Sequence, residues 1–360
     1  MSELYLGLMS GTSADGIDAA LVDFSDTHPT LIATHYNPFP TELRQKIIAL
    51  CTPGLDEINR LSELDILLGK EFALAVNTLL KTHNIEKNQI RAIGSHGQTI
   101  RHHPQKRFTL QIGDPNIIAA ETGITTISDF RRRDMAMGGQ GAPLVPAFHH
   151  AIFSKSDTHR AIVNIGGIAN ITLLSDTTSG FDTGPGNTLL DTWIEKHRGE
   201  RFDKNGEWAK QGCANSPLLK KLLTDPYFSL PAPKSTGREY FNLSWLESHL
   251  ANTLLSPVDI QTTLVELTAY SIMDAIKKHF SHGEIFVCGG GAHNHYLMSR
   301  LQTLATNFSV DSTKKLGVNP NWVEAMAFAW LAKQTLEKKS GNIPAVTGAR
   351  QPSILGGIYS

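Results

Sequence analysis

The residues best equipped for chemistry sit in short polar stretches beside apolar runs. In SGTSADGID, Ser10 to Asp18, Gly11 and Gly16 let backbone approach a ligand, while Thr12 and Ser13 add hydroxyls. Such a turn suits phosphate. Asp15 and Asp18 repel phosphate unless a divalent cation or a reacting proton stands between them. Gly166 and Gly167 make a second turn of this sort in AIVNIGGIANITLL, and FDTGPGN sets Asp182 and Gly184 at the end of an apolar run. In IFVCGGGAHN, Gly289, Gly290 and Gly291 give a nucleotide room to lie against the backbone. Each stretch alone also serves as an ordinary turn. Their repetition a half-chain apart carries the argument.

Other polar groups are more ambiguous. His96 and Gln98 follow the short strand Arg91 to Gly94, where ligand-facing residues of α/β sheets gather, yet His96 fits a buried polar network equally well. Arg131, Arg132 and Arg133 alternate across the faces of an extended segment, so one or two can turn inward to an anion while the rest stay wet. GGQGAP beside them reads as a flexible cleft lining or hinge. Glu324 opens the apolar helix Trp322 to Leu331, where a negative charge is also simply favourable. His149-His150 and His293-x-His295 lack carboxylate or Cys partners at motif spacing, which argues against a metal site.

Positioning these groups requires two similar sets of elements. LYLGLM and AALVDF flank the first turn as a β-hairpin, followed by a strand over Leu31 to Phe39. Helical spacing covers Leu43 to Cys51 and Glu57 to His83, where Gly69 marks a break or a close helix crossing. Strands at Phe108 to Gly113 and Ile124 to Ser128 enclose a helix, Pro115 to Glu121, capped by Asp114. After a helix over Pro143 to Phe153, SKSDTH suggests a domain change, and from Arg160 the hairpin-and-strand order begins again. Helices then follow at Asn187 to His197, Pro217 to Leu223, Ser244 to Leu255 and Pro257 to Phe280. The Pro-rich LPAPKSTGREYFN is expected to be a mobile loop. The predicted architecture is α/β, with domains over 1–150 and 151–360 and a C-terminal tail able to return to the first.

Two phosphate-type hairpins followed by a strand ending in Gly-Gly-Gly match the pattern of actin-like sugar kinases. More specifically, the chain resembles the anhydro-N-acetylmuramic acid kinases of bacterial cell-wall recycling. MSGTSADGID, SHGQTIRH, SDFRRRDMAMGGQGAPLVP, VNIGGIANIT, FDTGPGN, CGGGAHN and NWVEAMAFAW carry the resemblance, which runs from about Leu4 to Gly357. It implies two duplicated actin-like, ribonuclease H-like domains that close over a nucleotide cleft. It also implies ATP with Mg2+, an anhydro-sugar substrate, and a homodimer. Arg131 is expected to meet the sugar's acidic lactyl group, with His96, Gln98 and Glu324 as further sugar contacts. Gly11, Thr12, Ser13, Asp15, Gly16, Asp18, Gly166, Gly167, Gly184 and Gly289 to Gly291 would hold the nucleotide. Asp15 and Asp18 would act through magnesium-bound water.

The substrate dictates the rest. O6 of a 1,6-anhydro ring is tied to the anomeric carbon, so water must add at C1 while O6 takes the γ-phosphoryl group. Asp182 is the expected base for that water, as in an inverting glycosidase. An actin-like kinase for another hexose or amino sugar, and a chaperone-like ATPase indifferent to sugar, are the competing readings.

Composition excludes several other classes. Across 360 residues, 41% hydrophobic and 19% charged, the formal charge is −1, which argues against a general nucleic-acid binder. No P-loop run and no protein-kinase motif set is present. No apolar run reaches a membrane span, no signal peptide opens the chain, and Cys51, Cys213 and Cys288 are too scattered for disulfides, so a cytoplasmic protein without membrane or nucleic-acid partners is expected.

Overall fold

β1 (Leu4–Ser10) and β2 (Gly16–Asp23) are buried along nearly their whole length, which is why they read as apolar runs without clean alternation. The computed structural model describes residues 2–250 and 254–360. The remaining strands are β3 (Thr30–Pro38), β4 (Ile90–His103), β5 (Phe108–Ile112), β6 (Thr126–Ser128), β7 (Arg160–Ile165), β8 (Ile168–Leu174), β9 (Ser179–Pro185), β10 (Gly283–Cys288), β11 (Phe308–Ser312) and β12 (Gly357–Tyr359). One sheet runs β12-β6-β4-β1-β2-β3 with β5 on β4, and the other runs β11-β10-β7-β8-β9.

Both sheets share one plan. An antiparallel meander, β1-β2-β3 or β7-β8-β9, is extended from its first strand by two parallel strands, β4 and β6 or β10 and β11. The duplication read from the glycine turns is therefore present strand for strand.

The chain divides into a unit of Met1–Ile152 with Trp322–Ser360 and a unit of Phe153–Asn321. The sequence-based boundary gave 151–360 to the second domain. The expected return of the C-terminal tail to the first takes in all of Trp322–Ser360, because its helix Val323–Leu336 packs on β1, β2 and β4 and β12 pairs with β6. Glycines permit that packing: a Cβ on Gly7 would lie 1.8 Å from the Ala325 carbonyl oxygen, and one on Gly94 would lie 2.0 Å from that of Phe328. Gly7 and Gly94 are register partners in β1 and β4, so the helix backbone rests on a bare strip of sheet.

Two local expectations change, and at Gly69 one of two alternatives holds. β4 continues past Gly94 to His103 because its second half pairs with β5, so His96 and Gln98 lie within a strand, not beyond its end. The arginine run is helical, Phe130–Ala136, and the 100° step of a helix turns Arg131 inward while Arg132 and Arg133 are exposed. Gly69 does not break its helix, Glu57–Thr82; a Cβ there would meet the Asp114 carbonyl oxygen at 3.0 Å, where the Pro115–Thr122 helix approaches. Of the expected helix Ser244 to Leu255, Leu243–Leu250 is helical and 251–253 lie outside the described residues.

Candidate active site

In the first unit, the polar groups gather at one end of β1, β2 and β4. The pairing of β1 with β4 slips by one residue between Leu8↔Ser95 and Ser10↔Gln98, a bulge at His96 and Gly97 where Gly97 has φ +72°. Gln98 is buried and fully engaged: its Oε1 accepts from Ser10 Oγ at 2.7 Å and its Nε2 donates to the Gly11 carbonyl at 3.2 Å. Ser10 Oγ also reaches the Gly16 carbonyl at 2.9 Å as the donor's alternative acceptor. Gln98 and Ser10 therefore brace both ends of the turn. Within it Thr12 is exposed and a Cβ on Gly11 would meet nothing closer than Ser13 Oγ at 3.9 Å, whereas a Cβ on Gly16 would strike the Asn37 carbonyl oxygen at 2.5 Å, so Gly16 serves packing against β3.

His96, Arg131 and Glu324 come together. Arg131 donates to His96 Nε2 through Nε at 3.2 Å and to the Gly141 carbonyl at 2.8 Å. His96 Nε2 is thus an acceptor and its proton lies on Nδ1. Burial, then the Arg131 charge, holds the imidazole neutral, with its pKa pushed down to about 3. Its ring packs at a tilt of 48° on Phe328, 4.7 Å between centroids, one turn along the helix from Glu324. Burial raises the Glu324 pKa against the pull of Arg131, and burial together with Glu324 pushes Asp18 up to about 7. Sequence reasoning missed Asp134, a buried carboxylate that accepts from Gly141 N at 2.8 Å, Asn342 Nδ2 at 2.6 Å and Thr347 Oγ1 at 2.7 Å. Through Gly141, it fixes the loop that orients Arg131.

Magnesium keeps most of its waters and needs only one or two carboxylates beside phosphate oxygens. Asp18 fits, since a nearby cation would relieve the repulsion it feels from Glu324. Asp15 is engaged elsewhere, its carboxylate 3.2 Å from Arg44 Nε. Among the described residues no group of three His, Cys, Asp or Glu side chains forms a self-sufficient metal site.

In the second unit Asp182 lies within β9, immediately before a bulge at Thr183 that shifts pairing from Asn170↔Asp182 to Ala169↔Gly184. The loop expected to be mobile is bound to it. Asp182 N donates to the Lys234 carbonyl at 3.0 Å and Thr236 N to Asp182 Oδ2 at 3.0 Å, while Tyr227 Oη, from the short helix before the loop, donates to the Asp182 carbonyl at 2.8 Å. These are backbone-directed bonds, which no residue type in LPAPKSTGREYFN announces. Burial pushes the Asp182 carboxyl up to about 6 against the Thr236 amide.

The glycines here divide by role. A Cβ on Gly166 would meet nothing closer than 3.7 Å, leaving that turn open. Gly184 packs on Phe228, and Gly186, which sequence reasoning passed over, closes onto the Gly166 carbonyl oxygen. Gly289 and Gly291 press against Asn164 and Ile165, and Gly290 alone of the three has space around it.

A duplicated meander-plus-parallel sheet with glycine turns defines a two-domain actin-like α/β fold. As a fold it is similar to component A of (R)-2-hydroxyglutaryl-CoA dehydratase from Acidaminococcus fermentans, at a TM-score of 0.50 and 11% identity over 91% of this chain and 96% of that one. The chain belongs to the anhydro-N-acetylmuramic acid kinase family, whose model matches residues 3–360. It is 53% identical to the anhydro-N-acetylmuramic acid kinase of Saccharophagus degradans, over 99% of both chains. It is 56% identical to that of Shewanella oneidensis, over 99% of this chain and 98% of the relative. No helix among the described residues is long and apolar enough to cross a membrane.

Proposed function

We propose that this chain is an ATP-dependent kinase that opens 1,6-anhydro-N-acetylmuramic acid with water and phosphorylates O6, giving N-acetylmuramic acid 6-phosphate and ADP in cell-wall recycling. The observation carrying its mechanism is Asp182, a partly buried carboxylate braced by the Thr236 amide. Its ionised form accepts the proton of a water whose oxygen bonds to C1. The C1–O6 electron pair moves to O6, O6 bonds to the γ-phosphorus, and the bond to ADP breaks with its electrons on the departing β-phosphate oxygen. No general acid is needed, because phosphorus captures O6. Magnesium, held through water by Asp18, would neutralise charge on the β- and γ-phosphate oxygens. Turnover in labelled water is expected to place the label on the anomeric carbon of the product. Label appearing in phosphate instead would overturn the ring-opening chemistry.

Sugar recognition falls to the first unit's cluster in this reading. Arg131 binds the lactyl carboxylate, His96 presents it, Gln98 braces the neighbouring turn, and Glu324 contacts the sugar or its water. Arg131→Ala is expected to raise KM for the anhydro-sugar by about 10–100-fold with a smaller change in kcat, as for a charge-assisted hydrogen bond. An unchanged KM would remove Arg131 from recognition. The three cysteines of the chain, few and scattered, suit a reducing cytoplasm, and the family resemblance suggests a homodimer.

A further inference from the structure

The segment that braces Asp182 also carries a cation to the second glycine turn. Between Lys234 and Tyr240 the chain passes from the Asp182 backbone to Gly167. There a Cβ on Gly167 would lie 3.0 Å from Thr188 Oγ1 and 3.2 Å from both Nε and Nη2 of Arg238. Those two nitrogens form the side-on fork of the guanidinium, the edge that grips carboxylate or phosphate with two parallel bonds. Arg238 is exposed and has no ion pair or hydrogen bond to any described residue.

Its placement is anchored. At the foot of the strap, Asp225 accepts from Tyr227 N at 2.9 Å, Tyr240 Oη at 2.8 Å and Trp245 Nε1 at 2.8 Å, and Phe241 packs against Tyr227 and Trp245 with centroids 5.4 and 5.0 Å away. Lys234 is turned back onto Tyr227, donating to its carbonyl at 3.1 Å. Of the strap's two cations, only Arg238 is directed at the turn.

We propose that Arg238 is a catalytic residue for phosphoryl transfer, its guanidinium contacting the terminal phosphate of the nucleotide held at Gly166–Gly167. The strap then serves both halves of the reaction: the Thr236 amide orients the base, and two residues later the guanidinium stabilises charge on the transferred group. This rests on the reading of Gly166–Gly167 as a phosphate turn, so the test separates the two.

Arg238→Gln, Arg238→Lys and Gly166→Ala are compared with the wild type in steady-state turnover, in its pH profile, and in affinity for ADP and for a non-hydrolysable ATP analogue. Gly166→Ala adds a methyl that the fold accommodates, so weaker binding of both nucleotides reports the space a phosphate needs. Arg238→Gln is expected to lower kcat more than 100-fold and to weaken the ATP analogue more than ADP. Arg238→Lys should recover only part of the loss, since an ammonium lacks the fork. The acid limb of the profile should not move. A moved limb means that the arginine acts only through Asp182, and overturns the proposal. So does a kcat within threefold of wild type while Gly166→Ala binds nucleotide poorly. If Gly166→Ala binds both nucleotides normally, the phosphate reading of the turn falls, and this proposal with it.

Discussion

Asp182→Asn lowers turnover by about 10²–10⁴-fold, the usual worth of a positioned general base, and leaves sugar and nucleotide affinity close to wild type. The same substitution stabilises the fold. Burial disfavours the charge of Asp182 and pushes its carboxyl up to about 6 from the ordinary 3.8. The folded chain therefore holds that proton more tightly than the unfolded chain, and ionisation costs stability as pH climbs from about 4 to about 6. At neutral pH the cost is on the order of 1–3 kcal/mol, reduced by partial exposure, so the amide variant melts a few degrees higher. Acidification should close this gap, since both side chains are then neutral. In the wild type, activity should fall as pH drops through about 6, where the base gains its proton. Thermal scans at several pH values and a kcat profile check all three. A variant that turns over within threefold of wild type would leave the chain without its assigned base.

Gly7→Ala is the most damaging of the small substitutions. Its methyl carbon would sit 1.8 Å from the Ala325 carbonyl oxygen and 2.6 Å from Ala329 N, both helix backbone, so no side-chain rotation relieves it. The Val323–Leu336 helix must lift from the sheet, at about 3 kcal/mol or more, the upper end of overpacking penalties. Because that helix carries Glu324 and supports His96 through Phe328, kcat/KM for the sugar should fall along with the denaturation midpoint. Gly123→Ala is the comparison: φ is +69° but a Cβ meets nothing within 4 Å, so only about 1 kcal/mol of backbone strain is expected. Equal midpoints for the two variants would contradict close helix packing.

These two substitutions mark where reading the sequence succeeds and where it stops. The glycine turns and their repetition were legible because Gly, Ser and Asp at turn spacing have few other uses, and they gave the duplicated sheets. Asp182 was expected at a strand end, yet it lies in mid-strand, because pairing of β9 with β8 continues past it to Pro185. Gly7 and Gly94 were not legible, because the helix that needs them lies more than 200 residues away and leaves no local signature. The arginine run was misjudged as extended because three like residues have no periodicity to measure. The hold of the strap on Asp182 leaves no mark in its sequence because it comes mainly from peptide groups, which every residue possesses.

The division of the first unit between the two ends of the chain has a consequence for its biogenesis. When residue 152 leaves the ribosome, β1 and β4 are complete, yet the strip at Gly7 and Gly94 has no cover, and Asp134 lacks Asn342 and Thr347. The second unit has every one of its own strands before that cover is translated. Vectorial synthesis thus favours the second unit maturing first, with the earlier half waiting, as a docking surface for a later segment of its own chain, until Trp322–Ser360 emerges.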